Sequence, residues 1–326
     1  MSRRCVGVVS AARRMGWLAT LLLAASSGPA AAANGGADDA GPYVGRWDAT
    51  LHTPAHDYSS WLDIQKNGGQ LRVRMVGRWG HARWLPHAAI ENGRIRFVSP
   101  GNVEGRADAD MEFEGERRGD VLEGTTNGPG AEVWTWRAER TAAMARTQIV
   151  RRGDPIRLFN GKDIAGWTMA NATARPWLVT GGTLVSSGRG ADLQTVAEYS
   201  DLSLHIEFNC ALGSNSGVYL RGRYEVQMED DAEPKGPSER TGGIYGFIAP
   251  VVPAPRTPGV WHAYDITLIG RRVTVVLDGT ILIDHEEIPG ITGGALDSHE
   301  GLPGAPGGPA CAEPMTSVRF SGASKI

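Results

Sequence analysis

Glu225, Gln227 and Glu229 recur at every second position in the run Tyr224-Glu225-Val226-Gln227-Met228-Glu229-Asp230. Side chains of an extended strand alternate between faces, so these three share one face while Tyr224, Val226 and Met228 pack on the other. On the concave side of a curved sheet, such a row can bind a sugar, and its carboxylates can act as acid and base on a glycosidic bond. Same-face neighbours stand about 6.6–7 Å apart, against about 5–5.5 Å between the carboxyl groups of retaining glycosidases, so the spacing permits this chemistry without requiring it. A solvated strand face bearing Glu and Gln fits the same pattern. Just upstream, Asn215-Ser216-Gly217-Val218-Tyr219-Leu220-Arg221 adds polar groups, among which Asn215 suits a turn before Gly217 more readily than a sugar contact.

A second pair, His205 and Glu207, lies on one face of Leu202–Phe208, opposite Leu202, Leu204, Ile206 and Phe208. It reads either as a surface pair or as part of a divalent-metal site; no cofactor is otherwise indicated. There is no Gly-rich phosphate loop opening a helix and no serine in a strand-to-helix elbow. A net charge of -3 over 326 residues provides no basic field to recruit nucleic acid.

The elements that must position these residues are strands. Hydrophobic residues at 41% and charged residues at 21% exclude both a disordered chain and a polytopic membrane protein. The 44 glycines and 19 prolines, with no ten-residue stretch of 3.6 period, favour an all-β chain rich in turns. From Gly41 to Arg140 short alternating runs follow turn signals: Leu71, Val73 and Met75 after Asn67-Gly68-Gly69; Ile95 and Phe97 after Asn92-Gly93; Val121-Leu122 after Gly119-Asp120. This spacing predicts a small antiparallel barrel or sandwich over 41–140. Residues 141–154, basic and weakly helical, read as a linker, and 155–326 as a larger β-sandwich. Within the latter, Arg271–Leu277, Asp278-Gly279 and Thr280–Asp284 predict a hairpin with a type I′ turn.

Residues 1–33 carry Arg3, Arg4, Arg13 and Arg14, the apolar run Trp17–Ala25 and a small-residue stretch ending at Ala33. That is a secretory signal layout, and the apolar run is shorter than the ~20 residues a membrane span needs. The expectation is a periplasmic or secreted protein without stable membrane insertion. Removing the leader shifts the net charge from -3 to -7 and leaves Cys210 and Cys311, which either pair or sit apart, one buried and one exposed.

The runs Leu158-Phe159-Asn160-Gly161-Lys162-Asp163-Ile164-Ala165-Gly166-Trp167, Tyr199-Ser200-Asp201, Asn215-Ser216-Gly217, Tyr224-Glu225-Val226-Gln227, Thr241-Gly242-Gly243-Ile244-Tyr245, Gly259-Val260-Trp261 and Gly294-Ala295-Leu296-Asp297-Ser298 together resemble the bacterial 3-keto-disaccharide hydrolase domain. The resemblance covers Pro155 to the C-terminus. It implies a concanavalin-like or laminarinase-like jelly roll, and cleavage of disaccharides or glycosides oxidised at the 3-position by a separate sugar oxidoreductase. Residues 41–140 resemble the small β domain that precedes this module in some relatives. Carried over residue by residue, the resemblance implies Glu225 as general base or acid, Asp230 as second carboxylate and Glu207 lining the same face. Gln227 and Arg221 would orient substrate, with Asn215, Tyr245 and Trp261 as further contacts, although aromatics in a sandwich are more often core. The chain departs from the family at Gly304–Pro314, whose prolines cannot make a central strand; the pattern returns at Ser317-Val318-Arg319-Phe320. Rival readings are a lectin-like binding protein of the same fold and an envelope scaffold.

Overall fold

The computed structural model describes residues 40–55, 57–77, 80–141, 153–169, 177–186, 193–199, 201–229, 236–254, 257–291 and 315–325, of which 80–81 and 315–325 are described by backbone alone. Residues 1–33, Asp230, Cys311, Gly294–Ser298 and Gly304–Pro314 lie outside this set. Among the described residues there are strands and three short 3-10 turns but no α-helix, and no helix is long and apolar enough to cross a membrane.

The period-two runs of the N-terminal half become β1 (Gly45–His52), β2 (Asp57–Asn67), β3 (Gln70–Gly77), β4 (Gly80–Trp84), β5 (His87–Glu91), β6 (Arg94–Ser99), β7 (Met111–Arg118), β8 (Val121–Asn127) and β9 (Val133–Arg140). They form one antiparallel sheet in the order β4-β3-β2-β1-β9-β8-β7-β6-β5. The sheet curls until β3 approaches β5 and β6, and the Leu85 amide donates to the Val73 carbonyl at 2.9 Å. Inside the curl, alternate residues such as Trp47, Leu62, Ile64, Val73, Ile95, Phe97 and Leu122 are buried together. Asn92 and Gly93 turn β5 into β6 with φ of 53° and 71°, the left-handed pair that a two-residue hairpin requires.

The C-terminal half contributes β10 (Pro155–Ile156), β11 (Trp167–Met169), β12 (Leu178–Thr180), β13 (Thr183–Val185), β14 (Leu193–Thr195), β15 (Leu202–Cys210), β16 (Asn215–Leu220), β17 (Tyr224–Glu229), β18 (Trp261–Ile269), β19 (Arg272–Leu277), β20 (Thr280–Glu287) and β21 (Met315–Lys325). The main sheet runs β12-β13-β21-β15-β18-β19-β20, with β10 paired to β21. The predicted Asp278-Gly279 turn joins β19 to β20 with φ of 48° and 78°. β21 sits between β13 and β15, so the sheet keeps a strand immediately after Gly304–Pro314.

Facing this sheet is the β16–β17 hairpin, giving the two layers of the expected jelly-roll sandwich. Leu204, Ile206, Tyr264, Ile266 and Val275 from the sheet meet Val218, Leu220, Val226 and Met228 from the hairpin in one core. Ile244 bridges Val226 and extends the hairpin layer by a third segment. The layers are also tied by one polar bond: the Tyr264 hydroxyl donates to the Gln227 carbonyl at 2.8 Å. Burial holds this phenol protonated, far above the ordinary tyrosine pKa, so it serves as a permanent donor.

Tyr264→Phe removes that donor while preserving the ring. Chemical denaturation should show a loss of about 1 kcal/mol, the usual net worth of a buried neutral hydrogen bond, and an unchanged midpoint would mean the bond contributes nothing.

Candidate functional site

The hairpin register settles which side chains converge. Tyr219 lies opposite Glu225, Gly217 opposite Gln227 and Asn215 opposite Glu229. Directly opposed residues share a face, so Asn215, Gly217 and Tyr219 join Glu225, Gln227 and Glu229 on the side away from the core. The Tyr219 hydroxyl donates to Glu225 Oε2 at 2.8 Å. Gly217 has no side chain because there is no room for one: a Cβ there would stand 2.2 Å from Glu225 Oε1 and 2.7 Å from its Cγ. The Glu225 side chain therefore lies flat across the neighbouring strand instead of projecting from it.

On its other edge β17 is paired by the Thr241–Tyr245 segment. Gln227 N–H donates to Gly243 O at 2.9 Å and Tyr245 N–H to Glu225 O at 3.0 Å, which sets Tyr245 opposite Glu225. Gly243 is equally confined, since a Cβ would lie 2.7 Å from the Ser238 carbonyl. Thr241 closes the end of the row, its hydroxyl donating to Glu229 O at 2.8 Å and accepting from Glu229 N–H at 3.1 Å.

Among the described residues the row is not the solvated strand face that the alternation also allows. Glu225 keeps 6% of its surface, Gln227 1% and Glu229 3%. The row is a buried polar face, with Glu225 lying along the sheet over Gly217. Asn215, expected in a turn, is the exposed first residue of β16 and stands opposite Glu229.

Two expected partners are elsewhere. Glu207 pairs with Ala263 and Asn209 with Trp261, on the face of the main sheet opposite to Ile206, Phe208 and Tyr264. Since those apolar residues face the hairpin, Glu207 and Trp261 lie on the far side of the sandwich from Glu225. The expectation that Glu207 shares the Glu225 face fails because β15 and β17 belong to different layers. Trp261, 38% exposed, cannot stack on a ring bound at Glu225. His205 sits on that same far face with Nδ1 2.6 Å from Asp265 Oδ1. Among the described residues no three His, Cys, Asp or Glu side chains are grouped to hold a metal ion.

Arg221 occupies the turn of the hairpin with φ of 57°. Its Nη2 donates at 2.8 Å to Asp201, whose same oxygen accepts the Gly270 amide at 2.8 Å. Burial pulls the Arg221 pKa down, with Tyr224 and Asp201 opposing. These contacts tie the hairpin turn to the β18–β19 turn, a structural use for a residue expected to orient substrate. Asp230 lies outside the described residues.

The Leu158–Trp167 motif is also scaffolding. Asn160 Oδ1 accepts the amides of Lys162 and Asp163 at 2.7 and 3.0 Å, and Trp167 Nε1 donates to Leu158 O at 2.7 Å. Backbone and Asn160 hydrogen bonds hold the Asp163 carboxyl below its ordinary pKa. The residues that sequence reasoning missed are Gly217, Tyr219 and Thr241. Alternation within Asn215–Leu220 already put 217 and 219 on one face; only the register joined that face to Glu225.

The family model described as a 3-keto-alpha-glucoside-1,2-lyase-like domain matches residues 154–310. Comparison with curated proteins gives no match. Among solved structures, the chain is similar to a candidate glycosyl hydrolase from Parabacteroides distasonis at 26% identity and a TM-score of 0.43, covering 57% of this chain and 94% of that one. A second structure so described from the same organism gives 21% and 0.42, over 52% and 91%. A Trypanosoma rangeli sialidase gives 10% and 0.27, over 82% and 63%.

Gly217→Ala drives a methyl into the space of the Glu225 carboxylate. The variant should lose about 1–3 kcal/mol in denaturant unfolding, as overpacking does; parental stability would show that Glu225 does not lie where described.

Proposed function

Because residues 154–310 belong to the family of 3-keto-alpha-glucoside-1,2-lyase-like domains, we propose that this carbohydrate-active chain cleaves glycosides or disaccharides already oxidised at C3 of one sugar, with Glu225 as its base. The observation that carries the assignment of the base is the Glu225 carboxylate, seated over Gly217 and held by the Tyr219 hydroxyl at 2.8 Å. A general base needs a fixed position as well as hydrogen-bond reach of the proton it removes, and this seat supports the first of these.

A ketone at C3 acidifies the hydrogen on C2. Glu225 takes that proton, the C2–H electrons form a C1=C2 double bond, and the C1–O bond breaks with its pair on the leaving oxygen, which is then protonated. Water adds back across C1 and C2 to give the free 3-keto sugar, so the sum is a hydrolysis. No strong nucleophile is needed. Gln227 and Tyr245, on the same side of the hairpin layer, are the proposed sugar contacts, and the burial of the row supports a site that works with water largely excluded. An oxidoreductase must install the ketone beforehand. The leader layout of residues 1–33 supports action outside the cytoplasm.

Glu225→Gln keeps the shape and removes the base. With 3-keto-trehalose or 3-keto-sucrose as substrate, release of free sugar should fall at least about 100-fold with little change in melting temperature. Glu207→Gln, on the opposite face, should stay within about twofold of the parent. Retained turnover in Glu225→Gln would remove Glu225 from the mechanism, and saturable binding with no release by the parent would select the lectin reading.

A further inference from the structure

The outer face of the barrel is not uniform. On β6–β9 it carries exposed ion pairs such as Arg96 with Glu91 and Glu114, or Arg137 with Glu139, which is how a solvated sheet face looks. On β2–β4 the outward positions include Trp61, Val76 and Ala82, all three buried and part of the sandwich core. Trp61 has no exposed surface, although it alternates with the barrel-interior residue Leu62.

What Trp61 meets is specific. The Phe247 ring stands edge-on to it at 5.3 Å and 82°, and a Cβ on Gly290 would fall 2.5 Å from the indole, so glycine is required there. Arg74, two residues from Val76 on the same face, donates from Nη2 to the Gly246 carbonyl at 2.7 Å, and its guanidinium lies 5.5 Å from the Phe247 ring centre. A further polar contact, Arg46 with Glu287 at 3.3 Å, is exposed and adds little.

Gly246 and Phe247 belong to a five-residue turn closed by the Phe247 and Ile248 amides on Ile244 O at 2.8 and 3.0 Å. The residue just before Gly246 is Tyr245, whose amide is bonded to Glu225 O. One short turn is thus gripped by the barrel at 246–247 and by β17 at 243–245.

We infer that the barrel is a working part of the site: Arg74 and Trp61 are positioning residues that fix the Ile244–Ile248 turn and, through it, hold Tyr245 against Glu225 for the sugar. This assignment of what the turn is for rests on the function proposed above; the clamp itself is tested independently. Small displacements of a substrate contact are costly, which gives a supporting domain a reason to grip the turn from outside.

The test uses the full chain. Arg74→Met keeps the stem and removes the donors. Hydrogen exchange at the Tyr245, Phe247 and Ile248 amides should accelerate by about tenfold, while the β6–β9 amides exchange as in the parent. With 3-keto-trehalose, KM should rise by about fivefold or more while kcat changes less, because binding geometry is lost and the base is not. Arg74→Lys, which keeps one donor, should restore most of the protection. Phe247→Ala attacks the contact from the sandwich side and should loosen the same three amides, which decides the matter if Arg74→Met disturbs the barrel. Parental exchange at the turn in both Arg74→Met and Phe247→Ala overturns the proposal. If the parent releases no sugar, the proposed function fails, yet the exchange rates still decide whether the clamp exists.

Discussion

A carboxylate taken out of water must be hydrogen-bonded, and a strand can accommodate one lying flat only where the neighbouring strand gives up a side chain. Gly217 and Tyr219 meet these two conditions for Glu225: one leaves the space, the other donates the bond. Gly217 also leaves the room in which the Glu225 side chain lies along the sheet. The hairpin is buried on both faces, with apolar packing on one and polar side chains, among them the Tyr219–Glu225 pair, on the other.

Everything around the hairpin serves to keep that arrangement in register. Val218, Val226 and Met228 press it onto the main sheet, and Tyr264 crosses the core to bind its backbone. Arg221 and Asp201 tie down its turn. The Thr241–Tyr245 segment pairs its free edge and is itself gripped by the barrel through Gly246 and Phe247. Several runs of the family motif are, in this light, supports: Asn160 and Asp163 shape a loop, Asp201 anchors a turn, and none of the three reaches Glu225.

Much of the fold was legible because period-two alternation and turn chemistry are local. The Asn92-Gly93 and Asp278-Gly279 turns and the apolar face of Leu202–Phe208 were readable from the chain. The site was legible only in part. Glu225 and Gln227 could be assigned to one face of one strand, but alternation does not say which layer a strand belongs to. The resemblance groups Glu207 and Trp261 with them, and they lie across the sandwich instead. Nor does alternation reveal that the polar face is buried, or that Gly217 on the neighbouring strand leaves the room in which Glu225 lies. Tyr219 is not legible as part of the site because an aromatic in a β run reads as core until its hydroxyl partner is known, and the role of the barrel depends on contacts between residues far apart in the chain, such as Arg74 and Gly246, 172 residues apart.

The central claim is that Glu225 removes the C2 proton before the glycosidic bond breaks. Turnover of 3-keto-trehalose in D2O, followed by NMR of the released 3-keto sugar, tests it directly. Elimination and hydration must return a solvent deuteron to C2, so the product should carry deuterium there beyond what substrate incubated without protein acquires. Product released with protium retained at C2 would mean direct hydrolysis and would contradict the account.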